Sequence, residues 1–300
     1  MIIVRKHKRI INGKVVGVKK HDRKNNKYPL RSSSKKLFNS RYEAEQKIAK
    51  TLRLNDFVKF SNIRRLFDKG HNSLNYVTKN DKINPSRKKI HNSIIRNLFK
   101  DKSSIDKKDP DLYLLGGVAS SGKTSAVGKE IPKNTINIDS DEFKLALSKY
   151  SKSPIKKYRL AHANYLHLES KILFERALAK AMKQKRNIIL DGTLSDKEVA
   201  EKTIAKFRKK GYDIHLRGTQ LAPHIAINRS TNRFLDPPEK GGGRFVSLKV
   251  ISEVGNRINK NVMDLRKQVD TNKIVDTTNW KNLKLVSQSG NIKKDYRKPK

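Results

Sequence analysis

The first chemical signal in this chain is the stretch "LLGGVASSGKTSA". It contains Gly117, four residues that include Ser120 and Ser121, then Gly122, Lys123 and Thr124, with Ser125 following. Glycines at these places let main-chain N–H groups approach a bound anion closely. The lysine supplies a cation for the β- and γ-phosphates of a nucleotide, and the Thr124 hydroxyl is offered to Mg²⁺. An apolar run precedes the stretch and a helical pattern follows, which puts the anion at a helix N-terminus. The stretch therefore reads as a nucleotide-binding phosphate loop with a place for Mg²⁺, built from Gly117, Ser120, Ser121, Gly122, Lys123, Thr124 and Ser125, against a chance Gly/Ser turn as the competing reading.

Carboxylates follow at later strand ends. "INIDSDEF" sets Asp139 and Asp141 two residues apart after an apolar run, at the carboxyl end of a strand, where open α/β sheets bind ligands. There Asp139 can help Thr124 with Mg²⁺ and approach the acceptor, while Asp141 accepts a hydroxyl proton. The competing reading is a cap, with Ser140 or Asp141 closing the first turn of a helix that begins at Glu142. Asp191 and Thr193 in "NIILDGT" are candidates for contacting an acceptor, against a simple turn before Gly192. Arg229, Arg233 and Arg244 flank "FLDPPEKGGG", a Pro/Gly segment that can close over phosphates and bring positive charge to a phosphoryl group in transit. With 70 Lys+Arg in the chain, plain surface placement competes for each of these arginines.

Positioning such groups takes a sheet. From Asp111 onward the apolar runs "DLYLLGG", "TINID", "NIILDG", "YDIHLRG" and "NKIVDT" alternate with longer amphipathic stretches, the pattern of parallel βαβ units. In the helix before the third run, Leu166, Ser170, Leu173, Ala177 and Ala181 fall on one stripe. Upstream lie packing helices. Ile48 and Leu52 are spaced for one, Ile63, Leu66 and Phe67 for another, and a third opens at Asn84-Pro85-Ser86 with Ser86 as its cap and His91, Ile94, Ile95 and Leu98 along it. The expected division is a basic extension at 1–40, a helical segment at 41–108, a nucleotide-binding α/β domain at 109–285 and a basic tail at 286–300.

Composition bounds what the chain can meet. It has 300 residues, 35% of them hydrophobic, and a mean hydropathy of −0.77, enough for one sizeable domain with extensions or two modest ones. The net charge of +42 favours a nucleic acid, another polyanion or an anionic surface as partner. The absence of cysteine excludes disulfides, thiolate metal sites and Cys nucleophiles. There is no signal-peptide segment and no run long enough for a membrane span, so the expected setting is the cytoplasm or the inside of a particle made in a cell. The first forty residues hold thirteen Lys/Arg and one acid, Asp22. Within them a near-repeat, VRKHKR and VKKHDR, brackets an Asn12-Gly13 turn between β-branched residues. That is a hairpin signal. A ribbon of this kind suits phosphate contacts, and a solvated tail is the competing reading.

Taken together and in order, "NPSRKKIHNSII", "LLGGVASSGKTSA", "INIDSDEFK", "HLESKILFERALAKAMKQKRNIILDGT", "GYDIHLRGTQLAP" and the segment from Arg233 to "GGRFVS" resemble the zeta-toxin-like P-loop kinases, including phage-type members. The resemblance covers about residues 84 to 250. It implies a P-loop kinase fold, ATP with Mg²⁺ as donor, and a hydroxyl acceptor, which is a UDP-amino sugar in founding members. It also assigns roles. Asp141 becomes the catalytic base, Lys123 the phosphate-binding lysine, and Arg233 and Arg244 the arginines near the transferred phosphate. Asp191 stands where the family carries a substrate-contacting Glu, Leu168 where relatives often have a second acid, and Ser247 where a Pro is common, so the acceptor itself is left open. Two alternatives come from the charge: a nucleic-acid-binding phage or virion protein that keeps the P-loop module, and a polynucleotide 5′-hydroxyl kinase. The basic first forty residues lie outside the match, and an antitoxin partner does not follow from it.

Overall fold

The structure is a computed structural model that describes residues 8–11, 14–17, 41–51, 72–79, 82–100, 102, 109–127, 130–150, 165–236 and 246–290. Two compact units are present, Met1–Lys35 and Lys36–Lys300.

The smaller unit contains β1 (Lys8–Ile11) and β2 (Lys14–Gly17), antiparallel, with Ile11 opposite Lys14 and Lys8 opposite Gly17. This is the pairing that the Asn-Gly signal and its β-branched flanks predict.

The larger unit is organised around β5 (Asp111–Gly116), whose six residues are all buried. An apolar run without polar alternation is what a parallel strand covered on both faces requires. Leu112 and Leu114 enter the main core, and Tyr113 and Leu115 enter a smaller one with Val127, Ile131 and Val275. Around β5 stand β6 (Ile136–Ile138), β7 (Ile188–Asp191), β8 (Asp213–Gln220), β9 (Thr271–Asp276) and β10 (Lys284–Ser289), in the order β10-β9-β8-β5-β7-β6. The five strands expected from the apolar runs are β5 to β9, and they are parallel; β10 pairs antiparallel with β9. The expected domain edge at residue 285 therefore falls inside a strand. The sequence "KLVSQS" hides it because an exposed edge strand has no apolar face to show, and five of its six residues are exposed.

Helices cover the sheet. They are α1 (Arg41–Thr51), α2 (Leu74–Val77), α3 (Pro85–Phe99), α4 (Lys123–Val127), α5 (Ser140–Ser148), α6 (His167–Lys183), α7 (Lys197–Arg208), α8 (Pro223–Leu235) and α9 (Leu248–Leu265). The expected stripe on α6 is buried through Ser170, Leu173, Ala177 and Ala181, with Leu166 buried just ahead of it. Of the expected helical segment at 41–108, the described residues Ala44, Ile48, Ile94 and Ile95 belong to the same core as Leu112 and Leu114. Leu52, Ile63, Leu66 and Phe67 lie outside the described residues. The cap of α3 also differs from expectation. Asn84 accepts from Arg87 N at 2.8 Å, and the Ser86 hydroxyl donates to that same Asn84 oxygen at 2.9 Å. Pro85 at the first helical position makes Asn84 the residue with extended backbone, so the cap moves ahead of the proline.

One polar cluster binds α3 to α6. Arg87 Nε and Nη2 donate to the two oxygens of Glu169 at 2.6 and 3.1 Å, and His91 Nε2 donates to Oε1 at 2.6 Å. Arg87, His91 and Glu169 are all buried. Burial alone would raise the Glu169 carboxyl, but the hydrogen bonds from His91 and Arg87 and the charge of Arg87 prevail and hold it at about 2.

Candidate functional site

All the carboxyl ends of β5 to β9 point to one edge of the sheet, where the phosphate loop follows β5, Asp139 follows β6 and Asp191 ends β7. The loop from Gly117 to Gly122 leaves β5 and enters α4. Gly117 has φ +148 and Gly122 has φ +74, conformations that side chains resist. At Gly117 a Cβ would also lie 2.1 Å from Thr219 Oγ1. Ser121 is buried and shares a hydrogen bond with Thr219 at 2.6 Å, while Ser120, at φ 60, accepts from the Ser230 hydroxyl at 2.8 Å. Two of the loop's expected nucleotide-binding hydroxyls thus brace the loop from β8 and α8. Thr124 and Ser125 are exposed in the first turn of α4.

Lys123 joins the loop to the neighbouring strand end. Its Nζ donates to Gly117 O at 3.3 Å and stands 3.9 Å from Asp191 Oδ1 at the end of β7. Burial raises the Asp191 carboxyl above its ordinary range; the Lys123 charge works against this, and Asp139 adds to it. Past Asp191 the chain folds onto β5, where Gly117 N donates to Thr193 O at 3.4 Å and Gly192 N to Leu115 O at 3.3 Å. For Thr193 this is a main-chain bond.

The two aspartates after β6 divide the tasks that the sequence left open. Asp139 is the cap of α5, accepting from Asp141 N at 2.8 Å, and the helix starts at Ser140, not Glu142. Asp141 carries its carboxylate on the first turn, 2.9 Å from Lys144 Nζ and 32% exposed at the side chain. Burial draws the Lys144 ammonium below its ordinary range, with Asp139 opposing. Among the described residues no group of three or more His, Asp or Glu could cage a metal ion. A hydroxyl at Thr124 and single carboxylates suit Mg²⁺, which keeps waters and takes oxygens from phosphates.

The arginines separate. Arg233 stands in the last turn of α8, and Arg244 lies outside the described residues. Arg229 serves a loop: its Nη2 donates to Thr277 O at 2.5 Å and Thr278 O at 3.1 Å, and its guanidinium lies 4.8 Å from the Trp280 ring centre. Neither Trp280 nor Glu169 was singled out from sequence. The partners of Glu169 lie 78 and 82 residues away, and Trp280 stands alone in the polar stretch "TTNWKN".

Comparison with known proteins supplies an independent line. The family model described as Zeta toxin matches residues 95–289. Toxin PezT of Streptococcus pneumoniae serotype 4 is 27% identical over 157 residues, covering 47% of this chain and 55% of that protein. Toxin zeta of Streptococcus pyogenes is 27% identical over 155 residues, covering 49% and 53%. The chain thus spans about half the length of the curated relatives it matches. Among solved structures, that of the pneumococcal PezAT toxin–antitoxin system aligns at TM-score 0.52 and 21% identity over 70% of this chain and 83% of that one. The AvrRxo1-ORF1:-ORF2 structure with ATP aligns at 0.54 and 18% over 69% and 68%. These structural likenesses support the α/β fold. Among the described residues no helix is long and apolar enough to cross a membrane.

Proposed function

The chain belongs to the zeta toxin family, and from that premise we propose that it is an ATP-dependent kinase that moves the γ-phosphoryl group to a hydroxyl of a small acceptor, a UDP-amino sugar being the first candidate. The observation that carries the reading is the convergence of Lys123 on both the loop carbonyl of Gly117 and the strand-end carboxylate of Asp191. A cation held at that point faces the β- and γ-phosphates of a nucleotide seated on the loop. Thr124 and Asp139 would hold Mg²⁺, which when bound neutralises charge on the phosphate oxygens.

The remaining steps fall to the chain's own groups. Asp141, paired with Lys144 at 2.9 Å, takes the proton of the acceptor hydroxyl as that oxygen bonds to phosphorus and the bond to the ADP oxygen breaks. Asp191 and Thr193 orient the acceptor. Arg233 and Arg244 neutralise charge on the phosphoryl group in transit, a task worth about 10³-fold or more where one arginine performs it. The likeness to the PezAT toxin–antitoxin system adds an antitoxin partner to this reading.

A second reading is favoured by the charge of +42: the acceptor is the 5′-hydroxyl of a nucleic acid, with the basic first forty residues holding the strand. Incubation with γ-labelled ATP and, separately, UDP-amino sugars, nucleosides and DNA or RNA ends distinguishes the two. Label on a sugar supports the first reading, label on strand ends the second. Label in neither, with ATP bound, overturns both.

A further inference from the structure

The loop after β9 carries the chain's single tryptophan, and this residue rests on the phosphate loop. A Cβ placed on Gly122 would lie 1.6 Å from Cη2, 2.3 Å from Cζ2 and 2.9 Å from Cζ3 of Trp280, so the benzo edge of the indole sits against the Gly122 backbone. The ring is fixed from a second side by Arg229, whose guanidinium carbon is 4.8 Å from the ring centre. Arg229 is itself anchored by the carbonyls of Thr277 and Thr278. The start of the loop is anchored too: Thr277 N donates to Gln220 O at 3.1 Å, at the end of β8, and Thr278 N to Asp276 Oδ1 at 2.7 Å. Despite these contacts, 40% of Trp280 stays exposed. A large aromatic surface is thus packed between the phosphate loop and Arg229 and left partly open, at the ligand-binding edge of the sheet.

We infer that Trp280 is the stacking platform for the base of the bound nucleotide, with Arg229 as the residue that positions it. The inference rests on the reading of residues 117–124 as a triphosphate site. Stacking needs only a π face on the ligand and so accepts purine bases without reading their edges. The cation behind the indole fixes its plane without offering a donor to the base. Gly122 then has two tasks: its φ shapes the loop, and its missing side chain lets the indole come down beside the phosphates.

Because the chain has one tryptophan, its fluorescence reports this residue alone. Wild-type protein is titrated with ATP and with inorganic tripolyphosphate, which has the phosphates without the base. ATP should change the Trp280 emission strongly and tripolyphosphate weakly. By calorimetry, Trp280→Ala should weaken ATP about tenfold or more while leaving tripolyphosphate unchanged, and Trp280→Phe, which keeps a ring and the fold, should retain most of the ATP affinity. Equal weakening of both ligands in Trp280→Ala, or none, or a loss in Trp280→Phe as large as in Trp280→Ala, overturns the stacking role. Lys123→Ala tests the premise separately. It should abolish tripolyphosphate binding, and if binding persists the triphosphate-site reading falls and takes the platform with it.

Discussion

Lys123 Nζ stands 3.9 Å from Asp191 Oδ1, so the cation of the phosphate loop, which leaves β5, is paired with a carboxylate on β7. The pair is lopsided. Burial penalises the Asp191 charge more than Lys123 relieves it, and the carboxyl lies above its ordinary range. A carboxyl raised in the folded state binds its proton more tightly there than when unfolded, so its ionisation costs stability as pH rises through that range. Asp191→Asn should therefore raise the melting temperature of the ligand-free protein at pH 7, by an amount that shrinks as pH falls toward 4. A lower melting temperature across this range would show that the ion pair outweighs the burial.

Glu169 behaves in the opposite sense. Held at about 2 by His91 and Arg87 against its own burial, its contribution is present above the ordinary Glu range and is lost as pH falls from about 4.5 toward 2. Glu169→Gln leaves Arg87 buried without its partner charge and should cost about 3–5 kcal/mol by denaturant unfolding at pH 7. The penalty should narrow in acid. A loss below about 1 kcal/mol would mean that the cluster is solvated like a surface pair.

Legibility in the sequence followed the range of the interactions. The strands β5 to β9 announce themselves because they are short runs rich in apolar residues, β5 being buried along its whole length, and the phosphate loop because its glycines and lysine lie within one short stretch. Long-range polar contacts leave no such trace: nothing within "HLES" says that Glu169 meets Arg87 and His91. Caps were ambiguous for a local reason, since Asn84, Ser86, Asp139, Ser140 and Asp141 all carry oxygens that can accept from a helix start, and backbone conformation alone selects Asn84 and Asp139. The edge strand β10 was invisible because it buries almost nothing.

The basic extension should be separable from the nucleotide site. Removing residues 1–40 takes away thirteen Lys/Arg and should leave ATP affinity intact while weakening binding to duplex DNA. The slope of log affinity against log salt should fall by about 0.9 for each DNA phosphate that those cations neutralise in the full chain. An unchanged slope would reassign those residues to a solvated tail or a protein-docking strand.

The proposed mechanism turns on Asp141 acting on the acceptor and not on the donor. The most direct test is ATP affinity and γ-phosphoryl transfer measured side by side in Asp141→Asn, which keeps the side-chain shape and removes the base. A general base at Asp141 predicts ATP binding equal to wild type and transfer slower by about 10²- to 10⁴-fold. Loss of binding and transfer in equal measure, or transfer that continues at the wild-type rate, would contradict it.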